Sequence, residues 1–354
     1  VKACLSGGIA AFVLLGGQLL AVSESAVAAE VVPWLYEVSV PVESQSSQER
    51  ARASGEALLT LLTRLTGMAH VPRTDQVNAA VNAAERYYNE FSYASGPDDT
   101  LELVIRFDAG PVQTLVRDAG LPIWRSSRER VVAWVVVQEP ADRVLVGATS
   151  PSPLVTGLEK RALERGVPLT VPLLDLEDEL AVDPSAVWGR LSQVVDPASE
   201  RYGADVLLLG RVVPTEDGGW SSDWEFWVDG EVVPFTEEGA DLESHGIAAV
   251  DVLADELAAR RVVHGSRVGQ LLVAVSGIGS PSDYGHLLRY LRSLEFVDRV
   301  GVSGIRDDRL WLTVDTRADP EQLLATLERD GRAYPDQLAM VQSADLRLVW
   351  RGSD

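Results

Sequence analysis

Between Asp196 and Phe235 a helix end is followed by three strand signals, and that succession commits the chain to a sheet-centred fold. Residues 197–203 close the helix at Gly203. Val206 to Leu209 is then an unbroken apolar run of the kind that fills the centre of a sheet. Trp220 to Val228 and Glu231 to Phe235 follow, and Asp217-Gly218-Gly219 and Asp229-Gly230 stand where hairpin turns belong. Trp220, Trp224 and Trp227 are spaced four and three apart, as on a helix. Alternation with Ser221, Asp223 and Glu225 favours a strand instead, with Trp220, Trp224 and Phe226 on one face and Trp227 on the other.

The elements around this nucleus divide into three units. In residues 29–127, Val32, Trp34, Tyr36, Val38, Val40 and Val42 alternate as one strand. A helix stopped by Gly67 follows, and a second helix is read from about Thr74 through Val77, Val81, Ala84, Tyr88 and Phe91. Leu101 to Phe107 reads as a strand, and Asp108 caps a short helix. In residues 128–265 the order β-α-β-α-β-β-β-α, with strands at Val131–Val137 and Val167–Leu174, implies a mixed sheet covered by helices. Residues 266–354 read β-α-β-β-α-β, a ferredoxin-like order with a hairpin about Asp307-Asp308 and a last strand at Leu346–Trp350. The fold class is therefore α/β and α+β in several small units.

Charge narrows the partners. A net charge of −22 argues against nucleic acid and against an anionic membrane surface. Lys2, the mostly apolar run Ile9–Val22 and Ala26-Val27-Ala28 read as a signal peptide over residues 1–28, cleaved before Ala29. Export to the periplasm is expected, with N-terminal anchoring as the alternative and no stable membrane span after cleavage. Cys4 is the single cysteine and precedes the apolar run. It is thus no lipid anchor, and cleavage leaves a chain without disulfides or thiolate chemistry.

No motif assembles a catalytic site. Gly277-Ile-Gly279 has Ser282 where a dinucleotide fingerprint wants its third glycine, and Ser280, Pro281 and Asp283 make a capped βα turn the simpler reading. The acidic run Asp175-Leu176-Glu177-Asp178-Glu179 is the one carboxylate cluster that suggests a divalent cation, against a solvated loop at a strand end. His70, His245, His264 and His286 lack metal-ligand spacing, and no nucleophile elbow occurs. No cofactor, catalytic residue or metal ligand is assigned.

Several blocks resemble an exported proteobacterial family, the domain-of-unknown-function 2066 family. They are Leu121–Trp124 with Arg128 and Val131–Trp134, Gly166–Leu169 through Pro172–Asp178, Val187-Trp188, Ala198–Asp205 with Leu209–Arg211, and Trp220 with Trp224. The middle unit is also similar to curli-secretion and peptidoglycan-synthase-activator lipoprotein domains, without their anchor cysteine. The lipoprotein likeness implies a binding module, and the 2066 family, named for the absence of a known function, supplies no catalytic residues. The expected function is a non-enzymatic, protein-binding accessory of the cell envelope whose partner is another envelope protein. Trp124, Trp188, Trp220, Trp224 and Trp227 are candidate surface residues. The alternatives are a small-ligand module with a tryptophan-lined pocket between the first two units, and a metal-dependent hydrolase using Asp175, Glu177 and Asp178.

Overall fold

A computed structural model describes residues 30–96, 99–265, 268–306, 308–336 and 343–352. Residues 1–28, read above as a signal peptide and including Cys4, and the first residue of the Asp307-Asp308 turn lie outside the described residues. The architecture is α/β and α+β, with mixed and antiparallel sheets flanked by helices.

The first unit opens with β1 (Glu30–Val31) and β2 (Glu37–Pro41), then α1 (Ser47–Thr66), α2 (Asp75–Val81), β3 (Tyr88–Ser95), β4 (Leu101–Phe107) and α3 (Ala109–Asp118). Its sheet has the antiparallel order β2-β4-β3. Two expectations fail here. The alternation from Val32 to Val42 is interrupted at Pro33–Tyr36 by a turn in which Leu35 N–H donates to the Val32 carbonyl and Glu37 N–H to that of Trp34. Leu35 is thereby buried out of the alternating pattern. The long second helix stops at Asn82, and its aromatic end is β3, paired with β4. Tyr88, Phe91 and Tyr93 suit a pleated edge, and pairing outweighs their helix-like spacing.

The middle unit begins with β5 (Ser127–Arg128), paired to β1, and β6 (Val131–Gln138). Next come β7 (Arg143–Val146), α4 (Pro153–Arg165), β8 (Leu169–Thr170), α5 (Leu176–Ala181), α6 (Pro184–Trp188) and α7 (Ser192–Ser199). It closes with β9 (Val206–Pro214), β10 (Trp220–Val228), β11 (Glu231–Gly239) and α8 (Leu242–Arg261). The sheet order is β11-β10-β9-β6-β7, with β8 also on β6. The sequence reading lacked β7, and its Val167–Leu174 strand shrinks to β8. The nucleus holds: β9 lies between β6 (parallel) and β10 (antiparallel), and Leu208 faces Ala133 and Phe226 across the ladders. Leu208, Trp224 and Phe226 are buried on the face covered by α4 and α8. Trp134, Leu207 and Leu209 are buried on the other face, against Val187 of α6 and Val195 of α7.

The third unit comprises β12 (Gly269–Ser276), α9 (Pro281–Ser293), β13 (Val297–Arg306), β14 (Arg309–Thr316), α10 (Pro320–Arg329), β15 (Ala333–Pro335) and β16 (Leu346–Trp350). Its order is β13-β14-β12-β16-β15. The last strand, β16, runs parallel to β12 and antiparallel to the short β15 outside it, so the sheet is mixed where a ferredoxin-like sheet is antiparallel throughout. The first and third units bury one continuous apolar cluster, which also takes in Val263 from the end of the middle unit, where it exchanges backbone hydrogen bonds of 2.9 Å with Ile123. Among the described residues, no helix is long and apolar enough to cross a membrane.

The central position of β9 makes Leu208 and Gly210 sensitive to substitution. Leu208→Asp should abolish cooperative folding, since an unpaired carboxylate has no partner there; a folded, soluble variant would place β9 at an edge. A Cβ on Gly210 would stand 2.4 Å from the Trp224 ring, whereas one on Gly285 of α9 meets nothing within 4 Å. Urea melts should therefore show Gly210→Ala destabilised by about 1–3 kcal/mol and Gly285→Ala stabilised by about 0.4–1 kcal/mol.

Candidate functional site

The helices over the outer face of the middle sheet are short, and polar contacts fix them in place. Asp175 caps α5 by accepting from Glu177 N–H and Asp178 N–H, each at 3.1 Å. Its two oxygens also accept from the Arg201 guanidinium at 2.8 and 2.9 Å. Asp178 is buried and accepts from Leu174 N–H (2.9 Å), Tyr202 Oη (2.6 Å) and Arg201 Nη1 (3.1 Å). The Arg201 hydrogen bond holds the Asp175 carboxyl well below the usual carboxylate range. Burial, and then the hydrogen bond to Asp178, raise the Tyr202 phenol. On α7, Ser199 accepts from the buried Trp134 indole at 2.8 Å and donates to the Val195 carbonyl, so the helix is pinned to the sheet.

This arrangement corrects the cation reading of the acidic run. Asp175 and Asp178 serve as cap and clamp for Arg201, and Glu177 lies 3.5 Å from the same guanidinium. Among the described residues no group of three or more His, Cys, Asp or Glu is placed to hold a metal.

What the helices present outward is apolar. Leu176 and Leu180, four residues apart on one face of α5, are 71% and 80% exposed. Leu173 before α5 and Leu191 before α7 are exposed as well. Between α5 and α7 lies an open cleft of about 360 Å³ floored by Ala181, Val194, Pro197 and Ala198, with Glu177 and Arg201 at its charged end. Leu174 and Arg190, on either side of α5 and α6, both adopt left-handed φ values, 56° and 55°. Each costs roughly 1–2 kcal/mol for a residue with a Cβ. Such strain persists where surrounding contacts over-determine it, and it clusters at functional surfaces.

The candidate tryptophans separate. Trp124 and Trp224 are buried, the first under the Arg128 guanidinium at 3.7 Å and the second against Gly210 and stacked on Phe235, so neither offers a surface. Trp188, Trp220 and Trp227 are half-buried, and Trp188 carries the Arg143 guanidinium 3.8 Å above its ring. A cavity lined by Tyr36, Leu65 and Trp124 of the first unit and Glu295 of the third measures about 10 Å³, room for one water.

The remaining candidates resolve as structure. Ser280 accepts from Asp283 N–H and caps α9, while Asp283 accepts from Gly279 N–H. His245 is buried with its Nδ1 2.6 Å from Ser222 Oγ, which accepts from the Trp224 indole at 2.8 Å. The pair is sealed from solvent, and its 23-residue separation gave no signal in the sequence. The exposed leucines did leave a signal, at positions 173, 176 and 180 in and around the acidic run.

The family described as a domain of unknown function (DUF8605) matches residues 29–125, nearly the whole of the first unit. It names neither the 2066 family nor the lipoprotein domains that the sequence resembles, and it stops short of the cleft. No curated protein matches the chain.

Asp175 supplies a pH test. A carboxyl depressed on folding stabilises above its unfolded pKa, here 3.8, and loses that contribution as pH falls through the lower folded value. Asp175→Asn should therefore melt below the parent protein at neutral pH, with the gap closing below about pH 5. A gap unchanged down to pH 2 would show that the Arg201 pairing contributes nothing.

Proposed function

We propose that the protein is a non-enzymatic, exported accessory protein of the cell envelope, and that it binds another protein through the helical cover of its middle sheet. The exposed leucine pair on α5 beside the α5–α7 cleft carries this reading. Large apolar side chains grouped on a monomer surface and rimmed by charge mark interaction sites. The clamp of Asp178, Tyr202 and Arg201 fixes α5 before any partner arrives, which lowers the ordering cost of binding. Export is supported by the apolar run Ile9–Val22 followed by Ala26-Val27-Ala28. The likeness of the middle unit to lipoprotein binding domains favours a binding role for it. The hydrolase alternative finds little support, because Arg201 and Tyr202 already engage its two aspartates.

The test places a photo-crosslinking residue at position 180, and as a control at position 163, in the full chain in the cells that make it. Leu163 is also exposed, but on α4, over the opposite face of the sheet. A discrete protein adduct is expected from 180 and none from 163. No adduct at 180, or equal adducts at both positions, would refute the assignment of this face.

A further inference from the structure

At the boundary of the middle and third units, the end of α8 and one face of α10 leave an open groove of about 240 Å³ between them. Arg260 and Arg261 line it from the last turn of α8, and Arg329 from the last turn of α10. Val262, Val263 and Ala325 supply its apolar surface. Among the described residues Glu321 is the one carboxylate on the lining. It stands eight residues before Arg329 on the same face of α10, a backbone separation of about 12 Å along the helix axis. In a chain of net charge −22, three guanidiniums and one distant carboxylate along one groove are a local reversal of sign.

Two of the three cations are already served. Arg260 pairs with Glu231 at 3.2 Å and with Glu256 at 2.9 Å. Arg261 donates to Glu129 and, at 2.8 Å, to both oxygens of Asp229. Arg329 makes no hydrogen bond among the described residues, and the only carboxylate within 4 Å of it is that same Glu129, at 3.9 Å. Asp330 beside it is held by Arg125 and Tyr290. The Arg329 side chain is only 30% exposed, and burial, followed by the charge of Arg261, pushes its guanidinium down. A partly buried guanidinium with open donors beside apolar surface can take a planar oxyanion on two parallel hydrogen bonds. The four carboxylates on Arg260 and Arg261 leave the charge of one cation to be met. A monoanion suits that balance, whereas a phosphate dianion would meet repulsion from Glu129, Asp229 and Glu321.

We infer that the groove between α8 and α10 is a binding site for a small monocarboxylate with a compact apolar body, its carboxylate on the Arg329 guanidinium and its body on Val262, Val263 and Ala325. An apolar cavity of about 150 Å³ holds a benzene ring, so the groove has room for a ring together with its carboxylate. The site does not depend on the helical cover or on its binding role.

Ligand-observed NMR titrations of the full-length protein with benzoate, benzamide and phenyl phosphate test the site. Benzamide keeps the shape of benzoate without its charge, and phenyl phosphate is largely dianionic above neutral pH. Benzoate should bind with a Kd on the order of 1 mM, and the other two at least about tenfold more weakly. Arg329→Gln should weaken benzoate by about tenfold or more. Arg292→Gln, which removes an exposed arginine of α9, should leave it unchanged. Arg329→Gln should also melt no lower than the parent protein, because the guanidinium it removes has no hydrogen bond to lose. A lower melting temperature would make Arg329 a structural partner of Glu129 and overturn the inference. So would the absence of benzoate binding, equal binding of benzamide or phenyl phosphate, or indifference to Arg329→Gln. The crosslink from position 180 reads the cover, and its outcome stands separately from these.

Discussion

The assembly depends on three guanidiniums buried where its units meet. Arg128 donates from Nη2 to the Arg64 carbonyl at 2.7 Å and from Nε to the Arg125 carbonyl, with its plane over the Trp124 ring. Arg64 donates to the carbonyls of Leu35 and Glu37, and Arg165 to the Gly67 carbonyl and to Asp251 and Asp255. Burial pushes Arg128 down to about 9 and Arg64 to about 10, and both stay charged at neutral pH. A buried charge is costly unless its donors find acceptors; most acceptors here are backbone carbonyls of neighbouring segments, and one nitrogen on each of Arg64, Arg128 and Arg165 is left without a hydrogen bond. The cations therefore reward one relative placement of the first and middle units. Nearby, Arg125 grips Asp330 at 2.8 and 3.2 Å, and Ser126 N–H donates to Glu295, which ties the same link to the third unit.

What could be read in the sequence was what is decided locally. The strands from Val206 to Gly239 announce themselves by alternation and by aspartate–glycine turns, and both belong to the residues themselves. The capping box of Asp319 and Gln322 is equally self-contained. Val77, Val81, Ala84, Tyr88 and Phe91 fall at intervals of four and three, so only pairing with β4 separates helix from strand there. The parallel course of β16 depends on the third unit's sheet order, which periodicity does not encode. At the site, the acidic residues drew attention as metal ligands because carboxylates are conspicuous. Which of them turn inward depends on Tyr202 and Arg201, more than twenty residues downstream.

The cover of the middle sheet shows how a weak element is made dependable. Six residues are far too few for a helix to hold itself in water. α5 survives because its cap residue and its one buried carboxylate are both tied to the Arg201–Tyr202 pair just after α7. Its stability is tertiary, and its outward leucines are presented in a fixed pose.

The matched family segment ends at residue 125, inside the tightest knot of the molecule. Arg125 belongs to the segment and its aspartate partner does not, and the apolar face of the first unit is completed by strands more than 140 residues further on. The stretch that recurs as a family and the body that packs as a core are thus different objects in this chain. Wherever that segment occurs beside other neighbours, those neighbours must supply a substitute wall and a substitute acid.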